Sequence, residues 1–133
     1  MKGNQMRSIP LDTESIIVRS DMSPVIKELD CGKYQKLVRI RICKKAMSCT
    51  NHFFVHDLPQ LSSVIIDAEA FATSSEVDKE CRIYNCPKLT TLTFERGSFK
   101  LYSVLELRNL PLLGSLILDS SFTSGKILHL RGL

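Results

Sequence analysis

The chain has no tryptophan, and its aromatic residues are three tyrosines and six phenylalanines, 7% of 133 residues. That is a poor supply for the stacked aromatic platforms that hold single-stranded nucleic acid. No apolar run approaches the roughly 20 residues that span a bilayer as a helix, so no transmembrane segment is expected. The opening MKGNQMRSIPLDTESIIVRS has no continuous apolar stretch and does not read as a secretory signal. A formal charge of +4 falls short of the basic bias of a nucleic-acid-binding domain, and nucleic acid is not the expected partner. There is no Gly-rich phosphate loop, no G-x-S-x-G and no H-E-x-x-H. Cys49-x-x-His52 has no second pair at zinc spacing beside it. The expectation is therefore a protein that is not an enzyme, with no metal and no cofactor.

What is present is an ordinary globular balance, 44% hydrophobic and 24% charged, in a chain of one-domain length. The five cysteines (Cys31, Cys43, Cys49, Cys81, Cys86) make an odd, irregularly spaced set. Without a signal peptide they suggest free thiols in a reducing, cytoplasmic setting.

The informative feature is an internal repeat. Three segments superimpose: HDLPQLSSVIIDAEAF (56–71), YNCPKLTTLTFERGSF (84–99) and RNLPLLGSLILDSSF (108–122). Each has Asp or Asn, then Leu or Cys, then Pro, and two residues later an anchoring leucine. The anchors Leu61, Leu89 and Leu113 are followed by Val64, Leu92 and Leu116, then Ile66, Phe94 and Leu118, then Phe71, Phe99 and Phe122. A weaker copy carries Leu37, Ile40, Ile42 and Met47, which makes the anchor spacings 24, 28 and 24 residues. Ile16, Val18 and Met22 form a partial unit one repeat earlier. Ahead of each anchor lies a second apolar pair: Leu29/Cys31, Phe53/Val55, Cys81/Ile83 and Leu105/Leu107, with Leu128/Leu130 beginning another.

Each unit thus holds two period-two segments, the mark of two short strands with one buried face each. Between them Asp57, Asn85 and Asn109 can bond the turn backbone through their side chains, and the following prolines fix φ. One unit of this length cannot bury its own apolar stripe, whereas stacked copies form a continuous core with parallel strands about 4.8 Å apart. The expected fold is a β-rich, right-handed repeat solenoid with little helix, one helical turn at 74–80 at most. Residues 1–12 are expected to form a flexible tail and 13–133 one solenoid domain of about four full units plus partial units at both ends. The first and last coils are cut without a polar cap, which suggests a fragment or a chain that self-associates end to end.

The unit resembles the leucine-rich repeat, whose L-x-x-L-x-L is matched by Leu61 to Ile66, Leu89 to Phe94 and Leu113 to Leu118. It is similar to divergent repeats with an N-L-P corner and a terminal S-F or A-F. It departs from the standard repeat where asparagine normally follows, since Glu69, Gly97 and Ser121 hold that slot. The usual asparagine ladder is therefore not expected there, and the coil should be flatter and more β-rich. The resemblance implies partner recognition over a broad surface and carries no catalytic residues.

Several outward columns are candidates for that surface. On the first strand they read Arg39, Ser63, Thr91, Ser115 and Arg41, Ile65, Thr93, Ile117; on the second, Gly32, His56, Tyr84, Arg108, Arg131 and Asp30, Phe54, Arg82, Glu106, His129. Arg39, Arg41, Ile65, Thr93, Ile117, His56, Tyr84, Arg108 and Arg131 are the partner-binding candidates, and the expected partner is another protein. Such columns are also what an ordinary solvated sheet presents, with pairs such as Arg82 and Glu106 in mutual reach. Cys43, Asp67, Glu95 and Asp119 align one slot further on. Three stacked carboxylates repel unless splayed or bridged by a cation, and no loop nearby offers the other oxygens that calcium needs. They are the only residues a carbohydrate-acting or carbohydrate-binding β-helix could use here. Lys33, Lys36, Arg39, Arg41, Lys44 and Lys45 form the one dense basic cluster, a weaker candidate for an anionic membrane or nucleic acid. Cys31, Cys81 and Cys86 occupy apolar slots and read as small core residues.

Overall fold

A computed structural model of the chain describes residues 9–20, 22, 26–72, 78–119 and, for the backbone, 127–131. It is a parallel β-solenoid of about four turns, with no helix among the described residues. The helical turn considered for 74–80 falls mainly on residues outside that set, as do residues 1–8 of the N-terminal segment. Ile9 already packs against the core.

Ten strands alternate between two sheets. They are β1 (Ser15–Val18), β2 (Glu28–Asp30), β3 (Arg39–Ile42), β4 (His52–His56), β5 (Ser63–Ile66), β6 (Glu80–Tyr84), β7 (Thr91–Phe94), β8 (Val104–Arg108), β9 (Ser115–Leu118) and β10 (Ile127–Arg131). The first sheet has the order β1-β3-β5-β7-β9 and the second β2-β4-β6-β8-β10. Every pairing is parallel, because each coil returns to the same sheet travelling in the same direction.

The register follows the repeat phase. Ile16, Ile40, Val64, Leu92 and Leu116 pair in succession, and so do Val18, Ile42, Ile66, Phe94 and Leu118. In the second sheet Leu29, Phe53, Cys81, Leu105 and Leu128 align. A slip of one residue would turn every one of these side chains outward, so burial fixes the register. The anchors Leu37, Leu61 and Leu89 are fully buried, and Leu113 packs partly against the same core. Each Leu or Ile so enclosed contributes about 1.5–3 kcal/mol relative to exposure.

Two left-handed corners turn each coil from β3 to β8. After the second-sheet strands, Asp57, Asn85 and Asn109 have φ of 55°, 55° and 54°. After the first-sheet strands the left-handed residues come in pairs: Lys45 with Met47, Glu69 with Phe71, and Gly97 with Phe99. Here lies the reason for the missing asparagine. The slot does require positive φ, but it carries no side-chain ladder, so Lys45, Glu69 and Gly97 serve equally. Backbone bonds to the neighbouring coil hold this corner instead, from Phe71 N–H to Ala46 O (2.9 Å) and from Phe99 N–H to Ala70 O (2.9 Å). A left-handed bulky residue costs on the order of 1–2 kcal/mol. Burial offsets that cost: Phe71 and Phe99 stack at 4.5 Å, and Tyr102 meets both edge-on while donating its hydroxyl to Thr50 O.

The 28-residue coil differs from its neighbours at one place. Phe71 to Cys81 spans four residues more than Met47 to Phe53 or Phe99 to Leu105. The extra length lies in the connection before β6, and the pairings Phe53 with Cys81 and Cys81 with Leu105 continue across it.

Candidate functional site

The nine partner-binding candidates divide between the two sheets and do not converge. His56, Tyr84 and Arg108 stand in register on the second sheet, with Arg131 continuing the line on the backbone of β10. Arg39, Arg41, Ile65, Thr93 and Ile117 stand on the first.

The second-sheet column is a stack of planar groups. The His56 ring lies 5.1 Å from the Tyr84 ring at an interplanar angle of 13°, and the Arg108 guanidinium covers Tyr84 from the next coil, 4.5 Å from the ring centroid. At the lower end the His56 ring lies over Gly32, where a Cβ would come within 2.4 Å of Cε1 and Nε2. Glycine is needed there for close approach of the ring.

Both ring nitrogens of His56 face carboxylates: Nδ1 meets Asp57 Oδ2 at 2.7 Å and Nε2 meets Asp30 Oδ1 at 2.8 Å. A neutral imidazole has one N–H, so only the imidazolium satisfies both contacts. Partial burial alone pushes His56 down, but the bonds from Asp57 and Asp30 and their charges outweigh it, and its pKa lies above the ordinary imidazole value. Asp57 is lowered, first by its bond to His56 and then by Asn85.

That last bond begins a ladder. Asn85 Nδ2 donates to Asp57 Oδ1 (3.0 Å), and Asn109 Nδ2 donates to Asn85 Oδ1 (2.9 Å). The corner side chains thus bond one another across coils, where the sequence suggested bonds to the turn backbone. Alongside, Arg82 reaches Glu80 Oε2 (2.6 Å) and Glu106 Oε1 (3.2 Å), and Arg108 approaches Glu106 at 3.8 Å. The polar side chains of this face are largely bonded among themselves.

The first-sheet face is organised differently. Its columns read Ser15, Arg39, Ser63, Thr91, Ser115 and Ile17, Arg41, Ile65, Thr93, Ile117. The side chains in them are short hydroxyls, isoleucines and arginines, and among the described residues one ion pair touches them: Arg41 Nη2 with Asp67 Oδ2 at 3.1 Å. Ile17 and Ile117 are 55% and 47% exposed, large values for isoleucine on a sheet, and Ile65 is half-buried. The slot at the end of these strands runs Arg19, Cys43, Asp67, Glu95, Asp119, held by the same inter-coil backbone bonds, such as Asp119 N–H to Phe94 O (2.9 Å). The partial first unit thus adds Ile17 and Arg19 to the face, two residues that its inward pattern alone did not single out. Ala68, Thr93, Glu95, Arg96, Ile117 and Asp119 line a depression of about 320 Å³.

The basic cluster does not gather at one point. Lys33 and Lys36 lie before β3, Arg39 and Arg41 on it, and Lys44 and Lys45 beyond it, with Lys33 Nζ 5.4 Å from the Tyr34 ring. Among the described residues no three His, Cys, Asp or Glu side chains come together as a metal site requires. Cys31, Cys81 and Cys86 are buried in apolar slots, as their repeat positions implied, and burial pushes all three thiols up, Cys86 to about 11. No described helix is long and apolar enough to cross a membrane.

Comparison with protein-family models, with curated proteins and with solved structures gives no match. The fold assignment therefore rests on the coil geometry, and the function on the two faces.

Proposed function

We propose that this chain is a non-catalytic interaction module that presents the outer face of its first sheet to a protein partner. One observation carries the reading: the two outward faces are built oppositely. Among the described residues, the second sheet bonds most of its polar side chains to one another. The first sheet leaves two exposed isoleucines and a run of hydroxyls and arginines toward solvent. Exposed apolar residues rimmed by polar ones are the usual composition of a protein-binding patch. The parallel ladder fixes these side chains on a rigid grid, so little order is lost on binding. The in-phase leucines also support a distant relation to leucine-rich repeats, with a second sheet in place of the helical side.

Photo-crosslinkers at Ile65, Thr93 and Ile117 should capture a partner, while the same groups at Phe54 and Arg82 should not. Equal capture from both faces, or capture from the second sheet alone, would refute the assignment.

The depression beside Glu95 and Asp119 favours one other reading, a carbohydrate site. Under that reading the wild-type chain binds or cleaves a polysaccharide and alanine at Asp67, Glu95 and Asp119 together abolishes it, whereas under ours the wild-type chain neither binds nor cleaves one.

A further inference from the structure

The charges on the first-sheet face are not mixed at random along the stack. The early coils carry Arg19, Arg39, Arg41 and Lys44; the later coils carry Glu95 and Asp119, with Arg96 beside Glu95. Ile17 stands near one end of the face, Ile117 at the other and Ile65 at its centre. From this arrangement we infer that the face is self-complementary and that its partner is a second copy of this chain. The inference rests on the reading that this face is the binding surface.

Symmetry decides how the copies meet. Two sheets packed face to face can be related by a two-fold axis lying in the interface, either along the stack or along the strands. An axis along the stack keeps the coil order. It sets Arg41 against its own copy with Arg39 close beside it, and leaves Glu95 and Asp119 opposite Thr91 and Ser115, away from any arginine. Like charges so placed are unfavourable.

An axis parallel to β5 reverses the coil order while keeping the strand direction. Every column then faces its own column, run backwards. Ile17 meets the other copy's Ile117, twice by symmetry, and Ile65 meets Ile65 on the axis. Arg19 and Asp119 occupy the same slot at opposite ends, so each arginine comes to lie over a carboxylate. Arg39 and Arg41 fall opposite the hydroxyls of Thr91 and Thr93, with Glu95 one slot beyond. Asp67 meets its own copy near the axis, but each Asp67 already holds Arg41, at 3.1 Å. The observed pattern thus suits one of the two arrangements and opposes the other.

The area sets the strength. Five strands about 4.8 Å apart, four residues long at about 3.3 Å each, give roughly 300 Å², and the flanking corners bring this to roughly 500 Å² per copy. The total of roughly 1,000 Å² lies below the 1,200–2,000 Å² of stable complexes, so the dimer is weak and concentration-dependent.

Sedimentation equilibrium of the full chain from about 10 μM to about 1 mM tests this. The weight-average mass should climb from 15.0 kDa toward twice that value as loading rises. Asp119→Arg should weaken association at least tenfold, because the introduced guanidinium of one copy would lie against Arg19 of the other. Adding Arg19→Asp to it should restore the wild-type value. Both positions are exposed, so circular dichroism should be unchanged. Ile65→Glu, which would place two carboxylates together on the axis, should abolish association. A monomer throughout the range would overturn the inference, as would a dimer indifferent to Asp119→Arg or a double variant no better than the single. Crosslinks from Ile65 to other proteins with a strictly monomeric chain would overturn it too, while leaving the protein-binding reading in place.

Discussion

Replacing Gly32 by alanine tests the planar stack at its foundation. The new Cβ would lie 2.4 Å from two atoms of the His56 ring, so the ring must leave its position. It then gives up the bond to Asp30 at 2.8 Å and its alignment with Tyr84. A hydrogen bond between charged groups contributes about 1.5–3 kcal/mol and a stacked aromatic pair about 0.5–1.5 kcal/mol. His56 is partly open to water, which favours the lower ends, and removing a glycine from the unfolded chain returns about 0.4–1 kcal/mol. The expected net destabilisation is about 1–1.5 kcal/mol, about twofold to threefold more than an ordinary surface change. In a His56→Ala background the obstacle is absent, so Gly32→Ala should be neutral or mildly stabilising there. The coupling should therefore be about 2 kcal/mol, read from urea denaturation midpoints of the four proteins at constant slope. The measurement belongs at about pH 5.5, where the imidazolium is present. Because the folded His56 pKa is raised above 6.5, its contribution is complete below that value and fades as pH rises through the folded pKa. Repeating the cycle at about pH 9 should shrink the coupling. Costs that add to within about 0.5 kcal/mol in the acidic cycle would refute the contact on which this reasoning depends.

Two other expectations follow from the corners and the core. Asn85→Ala breaks two rungs of the corner ladder and leaves a Cβ-bearing residue at φ 55°, so it should cost about 2–3 kcal/mol, whereas Asn85→Gly keeps the turn and should cost about half as much; equal losses by thermal denaturation would contradict the left-handed requirement. A thiol reagent at about pH 8 should label Cys43 and Cys49 quickly and Cys31, Cys81 and Cys86 only on unfolding, since the latter three are buried with raised thiol pKa; more than two fast thiols would be inconsistent with the stacked core.

The fold was legible because the repeat is written in apolar spacing. Once Leu61 and Leu89 are aligned, the inward identity of Val64 and Ile66 follows, and the pairings of the structure reproduce the columns residue for residue. The outward columns were equally legible as positions, but not as interactions. Tyr, Arg and His in one column suggest a ligand site as readily as a bonded stack, and only the distances separate the two. The His56 bridge depends on Asp30, which is 26 residues away and sits on the previous coil. The corner ladder had a visible signal in the recurrence of Asp57, Asn85 and Asn109. The direction of its bonds was not visible, because either the local turn or the next coil could accept them. At the other corner, glutamate and phenylalanine gave no hint of positive φ, since such backbone is set by inter-coil bonds and burial and not by propensity.

The longer coil has a consequence for how such a chain can change. Four additional residues before β6 leave the pairing of Cys81 with Phe53 and with Leu105 undisturbed. Length is thus fixed along the strands and at the left-handed corners, where one residue more would reverse a face, while the sheets stay in register across a coil four residues longer than its neighbours. What each sheet displays is therefore set by the phase of its apolar pairs and not by the number of residues in the coil that joins them.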